Sequence, residues 1–595
     1  MKNGVIFRIC RIFIAALLTA FCLATISSTT LAQPANDTYD GRTVLTSTTL
    51  PFSTVVDTTE ATSDSNDEEV NSQCGAPATD ASVWYELAAT SDGQVTVDLR
   101  QSNYSAGVII ATGSPGNFVT IACGPGTVDF QAVAGGMYAI LVFDDQLDSA
   151  GNGGELRISI SAVAGPTELL ARLRALPGVA SASLAPSIIP GTFAFRIWFE
   201  QPVDHNHPDG PRFLQRATLL HRSESAVTVL GLNGYYLPPL RQSELTYLLE
   251  ANQLEVEHRF FTPSTPSGQD WQYLTIAQSA ADHHRIVESF KNLYPGKWVS
   301  TGRSKGGMAA VYHRFFYPSD VDATVPYVAP SSHGTRDVRY VQFVDRLGTA
   351  ECRERLQTFQ RTALARRAEI LALLPTDVFS ILGADRALEF AIVETPFAFW
   401  QYSRFNSCEA IPEPNATTTE LLDFLNYVPG LSFSYTDAGL NAYAAYYYQA
   451  ATELGGPRFD ERGLHGLLNY PRDDIPENYP PVGVEKEFDR ALMERIELWI
   501  QTSGQRILFI YGLNDPWSAS AFDVHSQNDS YRLFVMGEAG DHLAGIFDLS
   551  DESFFFVADT LNRWLLEAPV SREIQRAKKS GKKFDPPTRA ELFMR

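Results

Sequence analysis

Cysteine is scarce in this chain of 595 residues: there are six, none in a C-x-x-C pair, so the spacing of a zinc site or a thiol redox motif is missing. Long apolar runs are just as scarce. Beyond residue 32 no segment approaches the ~20 uninterrupted apolar residues of a membrane span. Basic residues are in deficit, with 47 Lys and Arg against 69 Asp and Glu and a net charge of −22. Such a field repels phosphate backbones and anionic membranes, so nucleic acid is not an expected partner. The one basic stretch, Arg576, Lys578, Lys579, Lys582 and Lys583, reads as a solvated tail. What remains is 44% hydrophobic with 41 Gly and 34 Pro, an ordinary globular composition long enough for more than one domain.

The first 32 residues read as an export signal. Lys2, Arg8 and Arg11 precede an apolar run from Ile12 to Ile26, and small residues lead to Leu31-Ala32. The mature chain is expected to start at Gln33 and to be secreted and extracellular. Cys22 follows Phe21, where a lipoprotein signal needs a small residue, so no integral membrane association is expected. Cys10 and Cys22 leave with the signal. The remaining four allow three disulfide pairings, of which locality favours Cys74 with Cys123 and Cys352 with Cys408.

Residues 33–163 are rich in Thr, Ser, Gly and Asp, with short alternating apolar runs such as Val83–Leu87, Val95–Leu99 and Tyr138–Val142. That pattern predicts an all-β sandwich. Pro34-Ala35-Asn36-Asp37, Ser82-Val83-Trp84-Tyr85 and Gly136 to Ile140 resemble the bacterial pre-peptidase C-terminal domain. Such a module normally follows a catalytic domain, so its place in front departs from the pattern. The resemblance implies an accessory role, with surface or polymer contact as its expected partner. Asp64, Asp67, Glu68 and Glu69, and separately Asp144, Asp145 and Asp148, are carboxylates able to bind calcium, but solvated loop acids of this kind usually bind nothing.

From residue 164 to 595 the reading is α/β. A short helix at Thr167–Arg174 is followed by strand-like runs at Val227–Leu232, Leu254–Phe261, Trp298–Thr301, Thr324–Val328, Ile507–Tyr511 and Leu533–Met536. Helical patterns separate several of them, which predicts a mostly parallel sheet covered on both faces. Between about 331 and 503 the pattern turns helical, including Glu351–Leu374 and Glu485–Gln501. An insertion that leaves strands resuming afterwards is the form of a lid over the strand ends.

The strand at Trp298–Thr301 runs into Gly302-Arg303-Ser304-Lys305-Gly306, with a helical pattern beyond. This is G-x-S-x-G between strand and helix, where a sharp turn presents a nucleophile and the next backbone N–H, that of Lys305, opens a helix facing a developing oxyanion. In an α/β-hydrolase the acid and then the base follow, each after a strand. Asp515 follows Ile507–Tyr511, and His542 follows Leu533–Met536. His525 is the rival base, and Asp523, Asp529 and Asp541 are rival acids; none directly follows its strand in that order. His205 and His207 lie in an early loop, and His283 and His284 read as exposed or capping groups on a helix. A second oxyanion donor is expected at Gly234 or Tyr235, after the strand ending at Leu232.

Several ordered stretches now carry a resemblance: Phe199–His205, Glu257–Phe261, Trp271–Asp282, Thr301–Val311 and Asp322–Pro330. This domain resembles the secreted prolyl tri/tetrapeptidyl aminopeptidases of actinomycetes, serine peptidases similar in plan to lysosomal prolyl carboxypeptidase. The resemblance implies an α/β-hydrolase fold with a helical lid, a Ser304, Asp515, His542 triad, no metal or organic cofactor, and peptides as substrates. It also implies release of short peptides, often ending in proline, from a free N-terminus. A free amine needs a carboxylate partner; Glu257 and Glu394 are the candidates, although Glu257 also has Arg259 nearby as a structural partner. Trp400, Tyr446, Tyr447 and Tyr448 are candidates to pack on a proline ring, or plain core. Two rivals keep the same sequence features: a secreted esterase or acylase, and a catalytically inactive binding protein.

Overall fold

The computed structural model describes residues 33–565 apart from 92, 149–151, 165, 186–188, 190 and 376. The expected signal at 1–32 and the basic tail at 576–583 lie outside the described residues. The chain divides at residue 164 into two compact units.

The first unit is a β-sandwich. One sheet has five strands in the order Thr43–Thr46, Asp80–Ala88, Met137–Asp144, Ala106–Thr112 and Val119–Pro125; the other has four, Phe52–Asp57, Glu155–Ala164, Gly93–Asp98 and Thr127–Ala132. Alternation along Gly93–Asp98 puts Val95 and Val97 into the core between the sheets, against Tyr85, Val108, Ile140 and Ile158. Cys74, at the end of a short helix, is bonded to Cys123. Several of the acidic residues that suggested calcium serve the backbone. Asp64 caps the helix Ser65–Cys74, Glu69 accepts from the N–H groups of Gly116 and Phe118, and Asp144 accepts from those of Gln146 and Gly153.

The second unit is built on a nine-stranded sheet: β1 Val179–Ala185, β2 Phe193–Pro202, β3 Arg212–His221, β4 Thr228–Leu232, β5 Asn252–Val256, β6 Trp298–Arg303, β7 Ala323–Tyr327, β8 Leu508–Gly512 and β9 Tyr531–Val535, in the spatial order β1-β2-β3-β5-β4-β6-β7-β8-β9. The first three pair antiparallel and β4 to β9 run parallel. Strands β4, β7 and β8 are buried at every position, as expected of a sheet with both faces covered. Alternate residues feed the two faces: Val229 packs with Leu561 and Trp564 of the helix Asp551–Leu565, whereas Leu230 packs with Ile286 and Phe290 on the opposite side. The strand expected to reach Phe261 stops at Val256. Glu257 and Arg259 are buried there, and their side chains enter polar networks with Arg216 and Asp282.

Strands β7 and β8 are neighbours, and the helical residues lie between them in sequence. These helices have their own core, including Leu356, Phe359, Leu388, Ile392 and Leu425, and the Cys352–Cys408 disulfide joins two of its segments. The helix expected from Glu485 begins at Arg490, where the Asp489 carboxylate accepts from the N–H groups of Ala491 and Leu492. The helix Ala384–Gln401 contains Pro396, which cannot donate to Ile392. Gln360 Nε2 donates to the Ile392 carbonyl at 3.0 Å in its place.

Candidate active site

Ser304 sits where β6 turns into the helix Lys305–Phe316, with φ 56° and ψ −125°. A left-handed φ at a non-glycine residue costs about 1–3 kcal/mol and persists only when neighbours enforce it. They do so here: the Ser304 N–H donates to Tyr327 O at 2.9 Å and its carbonyl accepts from Met308 N–H at 2.9 Å. The flanking glycines are required by close approach. A Cβ on Gly302 would lie 2.2 Å from Gly306 O, and one on Gly306 would lie 2.4 Å from Leu232 O.

The imidazole of His542 reaches the same point from the loop after β9. Its Nε2 is 2.9 Å from Ser304 Oγ and its Nδ1 is 2.8 Å from Asp515 Oδ2. An ionised carboxylate only accepts, so Nδ1 carries the proton and Nε2 is left to accept from the serine hydroxyl. Asp515, which directly follows β8, is buried, and its other oxygen accepts from Trp517 N–H at 3.1 Å. Burial pushes its carboxyl above the ordinary value, while the adjacent imidazole and the Trp517 amide pull it down. The backbone N–H of His542 donates to Gln401 O at 2.9 Å, which ties the imidazole to the end of the lid helix. The rival groups are otherwise placed or engaged: His525 is exposed, Asp523 pairs with Arg532, Asp529 with Arg563, and Asp541 with Arg404.

Lys305 opens the nucleophile helix, where its amide is one of the unsatisfied donors of a helix start. Its buried side chain donates from Nζ to Gly234 O at 2.6 Å, holding the loop after β4 against that helix. Tyr235 in this loop lines the cavity together with Ser304 and Lys305. Burial pushes the Lys305 ammonium well below its usual value. The side-chain role of Lys305 had no signal in the sequence beyond its place after the serine.

The cavity has a volume of about 650 Å³ and is walled by the loops at the strand ends and by the lid. Glu394, Tyr446 and Tyr447 line it. The other three substrate-binding expectations fail. Glu257 is fully buried and committed: its carboxylate bonds Arg216, accepts from Ser264 Oγ at 2.7 Å, and accepts from Leu237 N–H at 2.9 Å. Its partner is also not Arg259, which pairs with Asp282 at 2.7 Å. Trp400 lines a separate cavity of about 310 Å³ inside the lid. Successive helical residues are turned by about 100°, so Val393, Pro396 and Trp400 face that space while Glu394, Phe397 and Gln401 face Ser304's cavity. Tyr448 packs on Trp271 and does not line the cavity. His283 is neither exposed nor a cap: it is buried, with neither ring nitrogen bonded among the described residues, because its helix face packs under the nucleophile helix. Trp517, whose ring lies 6.0 Å from that of His542, and Asp474 line the cavity without having been singled out by any sequence pattern.

Residues 164–574 match the model of the PS-10 peptidase S37 family. The chain belongs to this family. It is 38% identical over 402 residues to the prolyl tri/tetrapeptidyl aminopeptidase of Streptomyces mobaraensis, a match that spans 65% of this chain and 83% of that relative. The family and this relative make it a serine peptidase. Solved structures it resembles include the cell wall degrading esterase LipA of Xanthomonas oryzae, at 12% identity over 65% of this chain and 98% of that one with a TM-score of 0.29. Another is the peroxisomal α/β-hydrolase Lpx1 of Saccharomyces cerevisiae, at 11% identity over 66% and 97% with a TM-score of 0.28.

Proposed function

We propose that Ser304 is the nucleophile, His542 the general base and acid, and Asp515 the residue that orients and stabilises the imidazole. Ser304 Oγ attacks a peptide carbonyl as its proton passes to His542 Nε2. The C–N bond breaks, His542 returns the proton to the leaving amine, and water releases the acyl group by the same route. The amide of Lys305, with that of Tyr235 or Gly234, holds the oxyanion. The observation that carries this reading is the unbroken relay of 2.8 and 2.9 Å at the wall of a cavity large enough for a short peptide.

The substrate reading is release of tripeptides or tetrapeptides, with proline at the cleavage site, from a free N-terminus. The activity for which the Streptomyces relative is named supports it, as does the aromatic lining by Tyr402, Phe397 and Trp517, surfaces suited to a proline ring. A neighbouring cavity of about 490 Å³ shares Pro238, Arg303 and Leu543 with the first and gives the leaving chain room. Secretion is supported by the leader-like first 32 residues and by two disulfides; no described helix is long and apolar enough to cross a membrane. For the β-sandwich the reading is contact with an extracellular surface or polymer, on its resemblance to accessory modules.

The test is labelling with a fluorophosphonate, followed by incubation with a mixed peptide library and mass spectrometry of the ends. Labelling at Ser304, absent in Ser304→Ala, with release of N-terminal peptides of three or four residues is expected. Folded protein that takes no label would support the binding-protein rival, and label with turnover of simple esters but no peptides would support the esterase.

A further inference from the structure

The cavity that holds Ser304 also holds two acids that have no basic partner among the described residues. Glu394 accepts from Tyr435 Oη, and Asp474 Oδ1 accepts from Tyr479 Oη at 2.7 Å. Asp474 Oδ2 is buried and has no hydrogen-bond partner among the described residues. Among the described residues neither carboxylate forms an ion pair; the nearby Arg386 is bonded to Asp473. Two neighbouring, half-buried carboxyl groups set among aromatic rings and left without a cation are a costly arrangement, tolerated where a ligand supplies the missing charge. Burial raises both, and the charge of Glu394 raises Asp474 further. The other groups facing the pair are the hydroxyls of Tyr435, Tyr446, Tyr447 and Tyr479, with Glu461 and Arg386 behind Asp474.

We propose that Glu394 and Asp474 together receive the α-ammonium of the substrate and that the lid helix sets how many residues separate it from the bond that is cut. This rests on the peptidase reading of the same cavity. The ammonium brings a positive charge and up to three N–H donors to two carboxylates, and the surrounding tyrosine rings add cation–π attraction. The spacing follows from one helix. Gln401, whose carbonyl holds His542, and Glu394 lie on the same face two turns apart, about 10 Å at the rise of an α-helix. An extended peptide covers ~3.3–3.6 Å per residue, so about three residues fit between amine and scissile carbonyl. One or two residues would leave the ammonium short of the pair. A long peptide fits only if its first three or four residues occupy this span.

The experiment compares Ala-Ala-Pro-p-nitroanilide with its N-acetylated form on wild type, Asp474→Asn and Glu394→Gln. Wild type is expected to favour the free amine by about a hundredfold in kcat/KM. Each variant is expected to raise KM for the free-amine substrate about tenfold or more while kcat changes little, so that discrimination between the two substrates narrows. Thermal melting checks that both variants are folded, and the wild-type comparison stands even if one variant is not. Equal turnover of free and acetylated substrates by wild type would overturn the proposal, as would variants that keep the wild-type KM or lose both substrates equally. Wild type that cleaves neither anilide and releases nothing from the peptide library would instead overturn the peptidase reading, and this proposal with it.

Discussion

Replacing Asp515 by Asn tests the relay with almost no change in shape. The carboxylate accepts from two donors, His542 Nδ1 at 2.8 Å and Trp517 N–H at 3.1 Å. An amide has one oxygen for these two contacts. If the oxygen keeps Trp517, the amide NH₂ faces Nδ1, and the proton must move to Nε2. Nε2 then points a hydrogen at Ser304 Oγ, 2.9 Å away, and no longer accepts from it. The loss expected for this tautomer is about 10⁴-fold in kcat, or ~5.4 kcal/mol of barrier. Stability moves otherwise. Burial raises the Asp515 carboxyl in the folded protein, so the stability linked to it is greatest at low pH and is lost as pH rises through the folded value. A neutral amide removes that burden, and the melting temperature of Asp515→Asn at pH 7 is expected to equal or exceed that of wild type. The assay is steady-state turnover of Ala-Ala-Pro-p-nitroanilide beside a calorimetric melt. A loss below tenfold, or a large loss accompanied by unfolding, would refute the reasoning.

Two further substitutions probe the polar groups behind the site. Asp282→Asn leaves the fully buried Arg259 without its charge partner, two bonds of 2.7 Å, and is expected to cost about 3–5 kcal/mol in urea unfolding; a cost under about 1 kcal/mol would show the pair to be dispensable. Glu453 is buried, accepts from Ile276 N–H at 2.8 Å, and is pushed up to about 8 by burial from 4.5. Its folded form holds a proton that the unfolded form has released, so wild-type stability falls between about pH 4.5 and 8, by at most ~5 kcal/mol. Glu453→Gln is expected to flatten that slope and to be the more stable protein at pH 9, read from urea melts across pH; parallel slopes would count against it.

The sheet and the three relay residues were legible because their signals are local. A buried parallel strand is a short apolar run, the nucleophile turn needs glycines on both sides of Ser304, and the acid and base follow their strands in order. Where a strand gives way to a polar network, as at Glu257 and Arg259, the same residues read as a longer strand. Domain locality was enough to pair the four described cysteines. Cavity lining in the lid was not legible. Glu257 looked available because its partners Arg216 and Leu237 are remote in sequence, 41 and 20 positions away. Asp474 lies in a loop with no periodicity, and only the packing of the lid helices places it beside Glu394.

Trp400 and Gln401 show why residue type alone misleads at such a surface. The helix Ala384–Gln401 is apolar or buried on nearly all sides, so hydrophobic periodicity does not tell its two working faces apart. One face borders the 310 Å³ cavity through Val393, Pro396 and Trp400; the other borders Ser304's cavity through Glu394, Phe397 and Gln401. Phe397 and Phe459 touch both spaces, so the wall between them is about one aromatic layer thick. The same helix positions His542 at its end and presents a carboxyl two turns earlier. A shift in its register would therefore move the imidazole and the amine site together. Chemistry and substrate length are coupled through one rigid element, and this is a physical reason for a peptidase to carry its specificity on the lid and its reactivity on the sheet.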